Sequence, residues 1–229
     1  MQKGLRSIRR RNKGSQTGAF VANAADFLAA SARDLAYCAA MTTFEQRVLQ
    51  LFEEIHPLDR IARAGFVLRG VTEPESVAAH SHFVAVLTLL FVDQYPDQFD
   101  RERALTMALI HDLPEALLMD IPMPACDAYL REAKNCAEQE IMEKLMNGFS
   151  SKYADYNRDL DDPQTPEAKL VRGLDKAQMM LKIVMYEREG RGRLKEFWGN
   201  PKNFNDFGCK PVSDLFDAIC ADAGKPRPR

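Results

Sequence analysis

ALIHDLPEA, residues 108–116, sets a histidine and an aspartate side by side at the end of an apolar segment, with a glutamate three and four residues further on. The apolar spacing that leads into it predicts a helix over 101–113. His111, Asp112 and Glu115 fall on one side of that helix, with Ala104 and Ala108 behind them. Alanines there leave room for a metal ion and a water. Pro114 lacks a backbone donor, so the helix is expected to end or kink just after His111-Asp112 and turn the pair toward a cavity. Asp112 has no Lys or Arg at i±3 or i±4. A carboxylate in such an apolar setting needs a cation, and a divalent ion supplies one directly.

Two further residues complete a donor set. His80 shares a helix face with Val84, Leu87 and Phe91, which points its ring into the core, whereas His82 lies about 200° around the same helix and cannot reach the same ion. Asp175 sits in the apolar run KLVRGLDKAQMML. A lone histidine on an apolar face is more often a hydrogen-bonded core residue, and Asp175 alone has Arg172 and Lys182 as conceivable partners. Two histidines and two carboxylates together are what one divalent ion needs. His80, His111, Asp112 and Asp175 are therefore the candidate ligands. Without thiolate, the set suits Mn²⁺, Co²⁺, Fe²⁺ or Mg²⁺ better than structural zinc. His56, in a break before Pro57, is expected at the surface.

Helical periodicity recurs along the chain and strand alternation is absent. Helices are expected near 22–41, 43–55, 76–95, 101–113, 127–149, 166–188 and 211–222, with Pro- and Gly-containing breaks between them. The expected fold is all-α, packed around 76–95, 101–113 and 166–188.

Composition narrows the function classes. The chain has 229 residues, 46% hydrophobic and 28% charged, enough for one full core plus a small extension. Its net charge of −2 and pI near 6.1 give no global field for nucleic acid. Five cysteines (38, 126, 136, 209 and 220) form no C-x-x-C, which argues against a disulfide framework and a zinc knuckle and points to a reducing cytosol. The longest apolar run, Phe83 to Val92, is too short to span a bilayer. Residues 1–25 carry Lys3, Arg6, Arg9, Arg10, Arg11 and Lys13 and no acid. This basic arm is expected to be a solvated tail, with an organelle-targeting peptide or a nucleic-acid or membrane arm as the alternatives. The expected division is an arm with an extra helix over 1–42, a domain over 43–222 and a disordered tail over 223–229.

The segments RAGFVLRGVTEPESVAAHS (63–81), ALIHDLPEALLMDIP (108–122), PEAKLVRGLDKAQMML (166–181) and GRLKEFW (192–198) carry a wider pattern, H…HD…D. Over residues 44 to 222 the chain resembles the HD-domain phosphohydrolases, in particular the single-domain 5′-deoxynucleotidases. The resemblance implies an HD-domain helical bundle around a mononuclear metal site. It also implies removal of phosphate from deoxynucleoside 5′-monophosphates by a metal-activated water, and a homodimer. It makes His80, His111, Asp112 and Asp175 the metal ligands and Glu115 the general acid/base, a role its position beside His111 and Asp112 also suits. It further implies that Asp120 contacts substrate or orients the water, that Arg63 holds the phosphate, and that Phe66 packs against the sugar. Three positions depart from the family pattern: Met119 stands for Gly, Phe66 for Trp, and Ala79 for an acidic residue before the first His. Two other readings share these residues, namely another HD activity (on a nucleoside triphosphate, a cyclic nucleotide or a non-nucleotide phosphate ester) and a non-catalytic nucleotide-binding HD module.

Overall fold

Seven longer helices follow one another from Phe44 onward in the computed structural model, which describes residues 43–228. They are α1 (Phe44–Ile55), α2 (Val77–Gln94), α3 (Arg101–Ile110), α4 (Arg131–Leu145), α5 (Lys152–Asp161), α6 (Pro166–Arg188) and α7 (Lys210–Ala223). Among the described residues the only β-type pairing is an isolated bridge between Ala62 and Ser76. The fold is all-α, as expected. The helix expected at 22–41 and the basic arm lie outside the described residues.

Local signals set where the central helices begin. Ser76 caps α2 by accepting from Ala79 N–H at 3.2 Å, Asp100 caps α3 through Arg103 N–H at 2.9 Å, and Thr165 caps α6 through Ala168 N–H at 3.3 Å, just before Pro166. α6 is the spine of the domain. Leu170, Leu174, Ala177, Met180 and Ile183 are fully buried along it, and it packs on α2, α3, α5 and α7. Gly173 admits α7 closely, since a Cβ there would meet Val212 at 2.8 Å. α2 buries Val77, His80, Val84, Thr88 and Val92, with Leu87 and Phe91 only partly buried beside that stripe. At 18 residues the whole helix, unlike its core run, is long and apolar enough to cross a membrane, yet its stripe is packed against α3 and α6.

Several elements differ from expectation. α3 stops at Ile110 rather than 113, because the proline disfavours helical backbone at the residue before it and 111–114 close as tight turns instead. The helix expected over 127–149 is preceded by a short turn (Met123–Ala125) and a π-turn (Cys126–Leu130), so regular α4 starts at Arg131. α5 was not expected. Its sequence KYADYNRDLD is mostly polar and only Asn157 and Leu160 are buried, too faint a stripe to read. The stretch after Ala223, expected as a disordered tail, turns at Gly224 (φ 62°) and docks Arg227 on Asp206 at 2.9 Å and over the Phe216 ring at 5.2 Å.

Candidate metal centre

His111 is the C-cap of α3, where its Nδ1 meets the Ala108 carbonyl at 2.8 Å. A carbonyl can only accept, so Nδ1 carries the proton and Nε2 keeps its lone pair. Burial lowers the His111 pKa despite the Asp112 carboxylate and keeps the ring neutral. From α2, His80 brings its own Nε2 to 3.4 Å from that atom, with Nδ1 occupied by Gln178 at 2.6 Å. Asp112 Oδ2 lies 3.3 Å from His111 Nε2 and 3.5 Å from His80 Nε2, and Asp175 Oδ1 lies 3.2 Å from His80 Nε2.

These donors fit a metal ion. His80, His111 and Asp112 offer atoms all within 4.8 Å of one another, and Asp175 adjoins them through His80. Two donor atoms about 2.1 Å from one ion stand about 3.0 Å apart at a right angle and about 3.4 Å apart at the tetrahedral angle. The spacings of 3.2 to 3.5 Å match that range. Asp112 Oδ2 is buried without a hydrogen-bond partner, and the Nε2 atoms of His80 and His111 face it, which leaves a cation as the group that satisfies all three.

Arg63 reaches the cluster because backbone pairing ties its loop to the start of α2: Arg63 N–H donates to the Glu75 carbonyl at 3.1 Å and Val77 N–H to Ile61 at 2.8 Å. Its guanidinium lies 3.7 Å from both Asp112 and Asp120 and 4.0 Å from Asp175. Burial would lower its pKa, but those three carboxylates together raise it, so it stays charged. Asp120 also accepts from Ala64 N–H, which fastens the loop after Met119 to the Arg63 turn. Met119 itself adopts φ 67° and ψ 166°, a region that favours glycine.

Glu115 is 5% exposed, with Oε2 unpartnered. Burial first, and then the Asp112 and Asp120 charges, push its pKa well above the usual carboxylate range. Asp112 and Asp175 go the other way. Burial acts to raise both, yet the charges around them prevail, with Arg63 among those that hold Asp112 below its ordinary value and Lys176 and Arg172 among those that hold Asp175 well below. A cavity of about 480 Å³ is lined by Arg63, Phe66, His111, Asp112, Glu115, Asp120 and Asp175 together with Lys134, Lys176 and Phe197. His80 stands behind this wall. Phe66 contributes to the wall but is 2% exposed, packed edge-on against Tyr186 at 5.2 Å between ring centroids. His56 and His82 are exposed, and Lys182 pairs with Glu75 at 3.7 Å rather than with Asp175. Glu75 and Gln178 had carried no sequence signal of their own, because they meet each other and His80 across different elements, and Lys176 and Lys134 had none because their ion pairs with Asp175 and Glu138 on their own helices do not reveal that they also line the cavity.

The family model of the HD domain matches residues 55–204. The chain is 33% identical over 159 residues to 5′-deoxynucleotidase HDDC2 of Xenopus laevis, a match covering 67% of this chain and 77% of that protein. It is 31% identical to 5′-deoxynucleotidase HDDC2 of Homo sapiens, covering 66% and 74% of the two chains. Among solved structures, the PH0347 protein from Pyrococcus horikoshii OT3 is similar at 32% identity with a TM-score of 0.63, covering 77% of this chain and 98% of that one.

Proposed function

We propose that this chain, which belongs to the HD-domain family, removes the 5′-phosphate from deoxynucleoside 5′-monophosphates with one divalent metal ion. It is a phosphoric monoester hydrolase. The observation that carries the reading is the convergence of His80 Nε2, His111 Nε2 and the unpartnered Asp112 Oδ2, with Arg63 beside them on the cavity wall. We assign His80, His111, Asp112 and Asp175 to hold the ion. When bound, it would lower the pKa of a water and offset charge on the phosphoryl oxygens. With no thiolate in the set, Mn²⁺, Co²⁺, Fe²⁺ or Mg²⁺ is the inferred ion.

The chain's own side chains supply the rest. Arg63 offers planar N–H donors to the phosphoryl oxygens, and Asp120 holds the Arg63 turn in place through Ala64 N–H. Glu115, kept protonated by its surroundings, gives its proton to the 5′ oxygen as the P–O bond breaks. The carboxylate so formed takes the proton released by the attacking water, which balances the reaction to deoxynucleoside and inorganic phosphate. The ring of Phe66 backs the Arg63 turn, and we place the sugar on that side. A homodimer is also proposed, on the family resemblance. The exposed stripe Phe83, Val86 and Leu90 on α2 offers it a surface, and a sedimentation mass of one chain would remove it.

Phosphate release tests the reading. Metal-stripped protein, reloaded with each ion, is offered a panel of deoxy- and ribonucleoside monophosphates, and metal-dependent phosphate from the deoxy series is expected. Turnover of triphosphates alone, with diphosphate or triphosphate as product, would replace the reading with another HD activity. Stoichiometric metal uptake without any turnover would leave a binding module.

A further inference from the structure

Behind His80 runs a chain of side chains that never touches the cavity. His80 Nδ1 meets Gln178 Oε1 at 2.6 Å, Gln178 Nε2 donates to Glu75 Oε2 at 3.0 Å, and the Lys182 ammonium stands 3.7 Å from that same carboxylate oxygen. The Glu75 backbone N–H is itself anchored by donating to the Tyr186 hydroxyl at 2.8 Å. His80, Gln178 and Glu75 are all buried, and Lys182 reaches toward solvent over the Phe83 and Tyr186 rings.

The order of this chain dictates a proton position. An ionised Glu75 can only accept, so the Gln178 amide must turn its NH₂ toward Glu75 and its oxygen toward His80. That oxygen cannot donate. Nδ1 of His80 must therefore carry the ring proton, and the lone pair falls on Nε2, which faces His111, Asp112 and Asp175. Without Gln178 the proton would move to Nε2, where Asp175 Oδ1 at 3.2 Å and Asp112 Oδ2 at 3.5 Å would accept it. Metal binding would then have to displace that proton. His111 has its tautomer set by its own helix, through the Ala108 carbonyl, whereas His80 sits inside α2 and takes its orientation from α6.

We propose that Gln178, held by Glu75 and Lys182, is the positioning residue that fixes the His80 tautomer and so prepares the centre for a divalent ion. The proposal rests on the metal reading above. Groups of this kind typically change metal affinity by about 10- to 100-fold.

Two variants test it: Gln178→Leu, which removes the acceptor at similar volume, and the swap Gln178→Glu with Glu75→Gln, which keeps the net charge and rebuilds both hydrogen bonds. Two readouts apply, the Mn²⁺ dissociation constant by competition with a chelator and the His80 tautomer in metal-free protein by ¹⁵N imidazole NMR. Unaltered protein should show protonated Nδ1. Gln178→Leu should shift the proton to Nε2 and weaken Mn²⁺ by about 10- to 100-fold, while the swapped pair should keep protonated Nδ1 and bind at least as tightly as the unaltered protein. Gln178→Leu with unchanged tautomer and affinity would overturn the proposal. If that variant fails to fold, the swap decides, because a tenfold loss in a folded swap would also overturn it. Unaltered protein that takes up no Mn²⁺ or other divalent ion would break the functional reading, and the proposal with it, whereas equal binding by all three proteins would break the proposal alone.

Discussion

His111 and His80 bring the same nitrogen to the same cluster from regions built in opposite ways. The His111 region is local. One helix end, the Ala108 carbonyl, Pro114 and the turn to Met119 place His111, Asp112, Glu115 and Asp120 within a single short stretch. The His80 region is assembled from distant parts: His80 in mid-helix on α2, Asp175 and Gln178 on α6, and Arg63 on a loop tied back to Glu75. A local region places its groups through backbone geometry and can tolerate strain, as Met119 does. An assembled one relies on buried partners, so losing any one of them should cost both fold and metal.

The largest expected effect belongs to the local region. Glu115→Gln keeps volume and hydrogen-bonding reach but cannot exchange a proton, so kcat should fall about 10²- to 10⁴-fold with metal content unchanged. The same change has a stability consequence with a definite sign. Because the folded pKa of Glu115 is raised, its contribution is fully present below the ordinary carboxylate value near 4.5 and is lost as pH rises. Metal-free Glu115→Gln should therefore be more stable than the unaltered protein at neutral pH, and a melt showing the reverse would remove the raised pKa from the account. Loss of metal in this variant would make Glu115 a ligand.

Asp175→Asn strikes the assembled region. Removing a buried carboxylate that faces Arg172, Lys176, Arg63 and His80 should cost about 3 kcal/mol in the metal-free protein as well as metal affinity. Its folded pKa is depressed, so the stabilisation is present above the ordinary Asp value and fades as pH falls through the depressed one. The variant should show a flatter acid limb in urea titrations. A metal-free stability equal to that of the unaltered protein would erase the contrast between the two regions.

Arg63→Lys keeps the charge but loses the two-pronged geometry, and kcat/KM should drop about 10- to 100-fold. Retained activity would mean that the phosphate is held elsewhere, with Lys176 and Lys134 on the same cavity wall as the next groups to change. The smallest effect tests strain in the local region. Met119→Gly should relieve the left-handed backbone at φ 67° and, net of the added freedom of glycine in the unfolded chain, stabilise by about 1 kcal/mol. That is a rise in Tm of about 2–4 °C for a domain of this size. An unchanged or lower Tm would mean that the Met119 side chain contributes as much as its backbone costs.

Local geometry is also what shows in the sequence. His111, Asp112 and Glu115 were legible because helical spacing and one proline act over a few residues, and the central helices were legible because caps and apolar stripes are local too. His80 was legible as a histidine on an apolar face. Of the two conceivable partners of Asp175, Arg172 pairs with it at 3.6 Å while Lys182 pairs with Glu75, because spacing along one helix does not reveal that Glu75 arrives from another element. Phe66 was assigned to a sugar by resemblance, while the structure shows most of its ring spent on Tyr186 and Phe197.

Residue order alone carries the all-α class, the donor chemistry of the site and the local turn that presents His111-Asp112. All of these follow from periodicity, residue type and backbone restriction over a few positions. Packing across helices is what makes His80 and His111 both present Nε2, sets Arg63 among three carboxylates, and brings Gln178 Oε1 to His80 Nδ1. Tautomers, buried charges and hydrogen-bond order depend on which atoms meet across helices, and that is settled by packing rather than by position along the chain.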